Sequence, residues 1–335
     1  MRGKMIKTPY AIFLGDANDQ LAAKVGNGIA MWRREQCVGQ IILKNCNADI
    51  GLPTITIEQA AEMGAKTLVI GVANRGGIIA PQWLSTFDQA LDLGLDLASG
   101  LHQRLSDIET IVTKAKALGR HVFDVRHSTQ SFKVADGKKR TGKRLLSVGS
   151  DCSVGKMFTS LAIERALKNS DVDADFRATG QTGILICGSG VPIDAIIADF
   201  IAGASEALSP DAKPDHWDII EGQGSLFHPS FAGVSLGLLH GAQPDALVLC
   251  HDPKRAHMRG LKHFALPDLQ HCIDVNLMHA RLVNPNCKLI GISIDSSKMN
   301  EDEAKTTLDA LEKRFKIPAT DPVRFGVANI IHEMV

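Results

Sequence analysis

The sequence predicts an α/β protein in two parts, each built on a parallel sheet, and three observations carry that expectation. Short apolar runs alternate with helical stretches along the chain, the pattern left by strands joined through crossover helices. A polar, basic segment at 134–144 with two glycines interrupts the alternation. Directly after it, an apolar run ends in Gly149 and passes through Ser150-Asp151-Cys152-Ser153-Val154 into Gly155-Lys156 and a helical pattern. That order is strand, phosphate loop, helix. At 335 residues the chain has room for two domains. The expected division is 1–134, a linker at 135–143, and 144–335.

In the first part, strands are expected over 10–14, 38–43, 67–72 and 121–125, with helices over 21–33, 57–63, 81–93 and 108–118. Asp107 stands where a helix N-cap would, and Gly119 where a helix stops. In the second part, strands are expected over 144–148, 174–178, 217–220, 245–250 and 288–294. Helices are expected over 156–168, 193–207, 266–281 and 301–315. This half has enough strands for a doubly wound sheet. No internal repeat or low-complexity segment is present. The basic segment reads as a solvated connection, or as a loop whose cations reach ligand phosphates.

Composition narrows the function classes. Hydrophobic residues make up 44% and charged residues 22%, enough apolar content for a sizeable core. Formal net charge is zero, without a long basic run or aromatic–basic interleaving, which argues against nucleic acid as a partner. No apolar stretch approaches a membrane span. The apolar run at 11–14, after a basic N-terminus, is too short for a signal sequence, so the expected compartment is the cytoplasm. Seven cysteines are scattered without a CxxC pair and mostly lie in apolar runs, as buried reduced thiols do. The twelve histidines show no zinc-type spacing.

The loop around Lys156 carries the strongest chemical signal. Backbone amides, the positive end of the following helix and the lysine ammonium together make an anion cradle. Asp151, Cys152, Ser153, Val154, Gly155 and Lys156 are the expected cofactor-binding residues. The loop departs from the common motif in two ways. Five residues separate Gly149 from Gly155, and Met157 replaces the Ser or Thr whose hydroxyl holds Mg²⁺. Phosphate binding without a metal is therefore expected, rather than NTP hydrolysis. Cys152 lies inside the loop, where a thiol can become a nucleophile or simply be small.

Ligands of open parallel sheets sit beyond the strands' carboxyl ends. Glu221 follows an apolar strand and reads as a general base, a metal ligand or a helix cap. Arg177, Thr179 and Gln181 follow another strand and could fix a polar substrate. Arg177 could grip a carboxylate with both arms, or serve as a structural ion-pair partner. Asp194 opens the helix expected at 193–207 and reads as a catalytic group or as an anion on the helix dipole. His251 and Arg255 follow a further strand end and could contact a base, phosphate or carboxylate. Arg75, between Asn74 and two glycines, reads as an anion-contacting turn or as plain turn chemistry.

The loop Gly149–Lys156 and the segment Ile220-Glu221-Gly222-Gln223-Gly224 are similar to the phosphate loop and strand-end glutamate of dethiobiotin synthetases. That family has threonine where Met157 stands. Over nearly its full length the chain more closely resembles the D-glutamate N-acetyltransferase family, formerly a domain of unknown function. The segments Leu14-Gly15-Asp16, Gly71-Val72-Ala73-Asn74-Arg75-Gly76-Gly77, Gly149–Lys156, Ala178-Thr179-Gly180-Gln181-Thr182-Gly183 and Ile220–Gly224 carry that resemblance. It implies an N-terminal Rossmann-like domain and a C-terminal phosphate-loop NTPase-like domain. It also implies acetyl-CoA as co-substrate, D-glutamate as acceptor and a place in D-amino acid catabolism. The roles we expect are our own assignment. Lys156 and the loop amides bind a CoA phosphate. Glu221 or Asp194 accepts the amine proton, and Arg177 or Arg75 holds the substrate carboxylate. The rivals are an Mg-ATP-dependent ligase or kinase and a nucleotide-binding regulator without turnover. A homodimer is the expected assembly.

Overall fold

A computed structural model describes residues 5–74, 76–127, 130–332 and 334. The chain forms two compact units, Met1–Gln130 with Gly180–Ala195, and Ser131–Thr179 with Ile196–Val335. This differs from the expected division in two respects. The basic segment belongs to the second unit, and residues 180–195 belong to the first.

The first unit is a five-stranded sheet of β1 (Tyr10–Gly15), β2 (Cys37–Ile42), β3 (Thr67–Ile70), β4 (Asp96–Ser99) and β5 (Val122–Asp124). The order is β2-β1-β3-β4-β5 and every pairing is parallel. Its crossover helices are α1 (Lys24–Trp32), α2 (Ile57–Glu62), α3 (Leu84–Asp92) and α4 (Glu109–Ala117). Phe13 packs edge-on against Trp83 and Phe87, with ring centroids 5.6 and 5.2 Å apart. These aromatic pairs anchor a core that also holds Leu68, Leu97 and Ile111. Strand β4 was not expected, because Asp96 and Ser99 at its ends disguise a two-residue apolar centre. Asp107 does not cap α4, whose N-cap residue is Ile108. The carboxylate of Asp124 instead accepts from the amides of Leu105 and Ser106, at 2.7 and 3.0 Å. Gly119 adopts φ 66° one residue past the C-cap of α4, which ends the helix as expected. Helix α5 (Lys156–Asn169) opens the second unit's crossovers, and the next, the short α6 (Gln181–Cys187), packs on α1 in the first unit.

The second unit is a six-stranded sheet of β6 (Lys143–Gly149), β7 (Ala174–Arg177), β8 (Trp217–Ile220), β9 (Ala246–His251), β10 (Lys288–Ile294) and β11 (Ala319–Thr320). The order is β11-β10-β9-β6-β8-β7, again all parallel. Besides α5, its helices are α7 (Ile201–Leu208), α8 (Ala232–Ala242), α9 (Leu269–Val283), α10 (Glu301–Phe315) and α11 (Ala328–Ile331). From β6 the chain crosses to the edge strand β7, returns to β8 beside β6, and then passes to β9 on the other side of β6. The carboxyl ends of β6 and β9 therefore border the topological switch point of the sheet. The helix expected over 193–207 divides into two short 3-10 turns, at Ile193–Ala195 and Ala198–Phe200, before α7 begins.

The basic segment is pinned at the amino end of β6, the end away from the strands' carboxyl termini. Arg144 is fully buried. Its guanidinium donates to the carbonyls of Thr141 at 2.8 Å and Pro210 at 3.1 Å, and to those of Ser209, Arg140 and Gly142 at 3.3–3.4 Å. Arg140 donates to the carbonyls of Gly241 and Ala242, and Lys139 pairs with Asp245. These cations hold backbone together rather than facing a ligand. Replacing Arg144 with methionine leaves several buried carbonyls without donors. We expect a loss of about 3 kcal/mol or more in urea unfolding. New cleavage within 131–143 under limited proteolysis should accompany it, measured against the unmodified chain.

Candidate phosphate-binding site

Strand β6 ends at Gly149, and the chain then turns through Ser150 to Gly155 into α5. Ser153 and Gly155 both take left-handed backbone conformations, at φ 51° and 94°. A trans peptide points its carbonyl oxygen and the next amide in opposite directions. The carbonyls of Asp151, Cys152 and Ser153 are all occupied. Asp151 O accepts from Lys156 Nζ at 2.8 Å, and Cys152 O and Ser153 O accept from Arg255 at 2.5 and 2.8 Å. Among the described residues the amides of Ser153, Val154 and Gly155 have no hydrogen-bond partner. They adjoin the positive end of α5, which is the arrangement of an anion nest.

Lys156 is buried and uses one of its ammonium hydrogens on protein, in the bond to Asp151 O. Burial lowers its pKa from the ordinary lysine value, with nearby Cys250, Cys152, Asp151 and Glu221 acting in the opposite sense. An anion in the nest would take the remaining donors and restore the charge that burial disfavours. Glu221 follows β8 and is buried. Its Oε2 accepts the Thr179 amide at 2.9 Å, while Thr179 Oγ1 donates to Glu221 O at 2.7 Å. Gln223 Nε2 donates to Thr179 Oγ1 at 3.0 Å. Gly222 must be glycine, since a Cβ there would lie 1.7 Å from Ser147 O. The chain leaving β8 thus passes close beside β6, with Gly222 N donating to Ser147 Oγ at 2.9 Å.

The loop after β9 completes the surroundings. Asp151 is fully buried. Its Oδ1 accepts the Cys152 amide at 2.6 Å, and its Oδ2 accepts Arg255 Nη1 at 2.8 Å and the Arg259 amide at 2.7 Å. Arg255 also pairs with Asp252, which Lys298 contacts at 2.9 Å. His251 Nδ1 and Ser150 Oγ share a hydrogen bond of 2.9 Å. Burial lowers the His251 pKa and favours the neutral ring. Burial raises the Cys152 thiol despite the cations around it, which weakens the nucleophile reading of that cysteine.

The donors present do not suit a metal. Asp151, Cys152 and His228 place one ligand atom each within 4.8 Å of one another. However, both carboxylate oxygens of Asp151 already accept protein donors, one of them a guanidinium. His228 bonds through both ring nitrogens, with Arg259 O and with the Ser230 amide. Where nucleotide-hydrolysing phosphate loops place a Mg²⁺-binding hydroxyl, Met157 offers only a thioether.

The expected substrate residues divide. Thr179 lies in the site, as the partner of Glu221. Arg177 does not serve it: Nε donates to buried Asp218 at 2.5 Å, and Nη2 lies 3.5 Å from Asp175. Its register with Ile220 and Leu146 puts it on the sheet face opposite Ser147, which bonds to Ser160 of α5. It is the structural ion-pair partner that the sequence left open. Gln181 begins α6 in the first unit, beside Gly100. Asp194 sits in a 3-10 turn, so no long helix dipole supports it; it pairs with Arg126 at 3.3 Å. Arg126 was missed because nothing around Val125-Arg126-His127 forms a motif. Its place just past β5 was the available signal. Arg75 lies outside the described residues.

A five-stranded parallel α/β unit with a six-stranded phosphate-loop unit defines a two-unit phosphate-loop protein. The chain belongs to the DUF1611 family. Residues 133–331 match the family model described as the DUF1611_C P-loop domain, and 35–128 match the DUF1611_N Rossmann-like domain. These assignments agree with the Rossmann-like and phosphate-loop folds implied by the resemblance. The chain is 53% identical to a D-glutamate N-acetyltransferase of Tritonibacter scottomollicae, over 98% of both chains. It is 49% identical to one of a Pseudoalteromonas species, over 97% of this chain and 98% of the other. A crystal structure of a DUF1611 family protein from Anabaena variabilis superimposes with a TM-score of 0.83 at 30% identity, covering 98% of this chain and 99% of that one. No helix among the described residues is long and apolar enough to cross a membrane.

The raised Cys152 pKa gives a labelling prediction. At pH 7.5 the thiol should react with iodoacetamide more slowly than free cysteine, and the gap should narrow as pH rises toward its pKa. Site-resolved mass spectrometry after timed quenching measures both rates.

Proposed function

We propose that this chain is a D-glutamate N-acetyltransferase that uses acetyl-CoA, with the phosphate loop holding a phosphate of the donor. The observation that carries the reading is an amide nest with a buried, under-used lysine and no oxygen ligand at position 157. It suits a phosphate ester bound without metal, and the names of the two curated relatives point to the same chemistry. An Mg-ATP ligase would need the hydroxyl that Met157 lacks.

In the reaction the neutral amine attacks the thioester carbonyl. The C–S bond breaks as the C–N bond forms, the CoA thiolate leaves, and a base takes the proton lost by nitrogen. Reach separates the roles. The pantetheine arm is comparable to four or five residues of extended chain, so the thioester can lie up to roughly 15 Å from a phosphate in the nest. Glu221 neighbours Lys156 and is engaged with Thr179. With a CoA phosphate in the loop we assign it to the phosphate site. Asp194 is the remaining candidate. With Arg126 beside it, the pair matches an α-amino acid: a carboxylate for the amine and a guanidinium for the substrate carboxylate.

The experiment follows CoA release with D-glutamate, with L-glutamate, and with ATP and Mg²⁺ in place of acetyl-CoA. We expect release with D-glutamate and no ADP in the ATP arm. Lys156→Ala should raise the KM for acetyl-CoA about tenfold or more. Asp194→Asn should lower kcat about a hundredfold while the KM for acetyl-CoA stays near its original value. ADP formation that depends on D-glutamate, without CoA release, would overturn the reading.

A further inference from the structure

Arg255 reaches the loop from the far side of the switch point, 99 positions along the chain from Lys156. We propose that Arg255 is a positioning residue for the anion nest. It gathers the carbonyls of Cys152 and Ser153 and the carboxylate of Asp151, so that the amides of Ser153 and Val154, across the peptide planes from those carbonyls, face the other way. The proposal rests on the reading that the nest binds a phosphate of the donor.

Three observations support it. First, the contacts of Arg255 are made with the loop and with its own turn. Nη1 donates to Asp151 Oδ2 and Cys152 O, Nη2 donates to Ser153 O, and Nε lies 3.4 Å from Asp252. Its contacts are thus made with protein, whereas Lys156 spends one ammonium hydrogen on Asp151 O and keeps two for an anion. Second, the loop's shape needs external support. Ser153 is a non-glycine residue at φ 51°, a conformation that costs free energy unless its surroundings enforce it. Arg255 bonds to the carbonyl of that residue. Third, the same turn reinforces the grip, since the Arg259 amide donates to the oxygen of Asp151 that Arg255 holds.

The geometry requires arginine rather than a generic cation. Two guanidinium arms reach two successive carbonyls and a carboxylate at once, in a fixed plane. A lysine ammonium is a single centre and cannot span that set. The nest is therefore prepared before ligand arrives, and the ordering cost is carried by the fold rather than taken from binding. Positive charge that a Mg²⁺-dependent loop would gain from its metal comes here from Lys156, with Arg255 balanced behind the loop by Asp151 and Asp252.

The test uses the full chain with Arg255→Lys and Arg255→Gln. Calorimetry with CoA and, separately, inorganic pyrophosphate reads the nest. Steady-state acetyl transfer reads function, and thermal unfolding reads the fold. We expect both variants to weaken CoA binding and raise the KM for acetyl-CoA on the order of tenfold or more, with the KM for D-glutamate within about twofold. Lysine should recover part of what glutamine loses. The double variant with Asp151→Asn should be non-additive, because the two residues act through one contact. Unchanged CoA and pyrophosphate affinity in folded variants would overturn the role of Arg255. So would equal rises in both KM values that track a fall in unfolding temperature, which is the mark of general destabilisation. If the unmodified protein binds pyrophosphate but transfers no acetyl group, the acetyltransferase reading fails while the pyrophosphate arm still decides Arg255. If it binds neither CoA nor pyrophosphate, both fail.

Discussion

A loop that turns its amides toward one point must turn its carbonyls away from it, and those carbonyls need donors of their own. Every feature around residues 150–155 answers that constraint. The loop is too short to fold back on itself, so donors arrive from elsewhere: Lys156 from the helix that follows, and Arg255 from the turn after the neighbouring strand. Asp151 then resolves a second problem. It places a second carboxylate, beside that of Asp252, against a largely buried guanidinium. Sheet order makes this possible. Because β9 lies next to β6, a turn distant in sequence reaches the phosphate loop directly.

The amino end of the same strand solves a related problem with the same residue type. Arg144 collects carbonyls from the segment that precedes β6 and from the turn after α7. A planar guanidinium with five donors can bind several carbonyls at once in a way an ammonium cannot. One arginine thus closes each end of the central strand, by fixing irregular backbone that makes few regular hydrogen bonds. The charged residues in 138–144 read from sequence as a possible phosphate contact. Their position at the wrong end of β6 removes that role, and sheet polarity alone decides it.

The strands with apolar centres were legible because burial on both faces of a parallel sheet leaves continuous apolar runs. Thr67–Ile70, Trp217–Ile220 and Lys288–Ile294 begin where the sequence placed them. Asp96–Ser99 was not legible, because its polar ends serve local contacts, Asp96 accepting the His121 amide at 2.7 Å. The helix Ala232–Ala242 was missed for a different reason. Three glycines and apolar residues on all sides hide the amphipathic period, which the helix does not need while it packs on both α7 and α9. In the site, Lys156 and Glu221 were legible, being fixed by local motif and by position at a strand end. Arg177 was ambiguous, since a strand-end arginine can face either side of the sheet. Only pairing register, with Ile220 opposite it, shows which. Arg255 was visible as a residue past a strand end, but its partners are a hundred positions away.

Met157 links the loop's geometry to the choice of ligand. A nucleotide-hydrolysing loop must hold a metal between the outer phosphates to stabilise the charge that builds up during transfer. A loop that only anchors a phosphate ester needs no such ion, because the charge on that phosphate does not change while chemistry proceeds elsewhere. Such a loop needs no hydroxyl after its lysine, and the binding energy of a remote phosphate can serve orientation of the group that reacts. Asp194 and Arg126 of the first unit carry the opposite pair of charges, the complement of an amino acid's own.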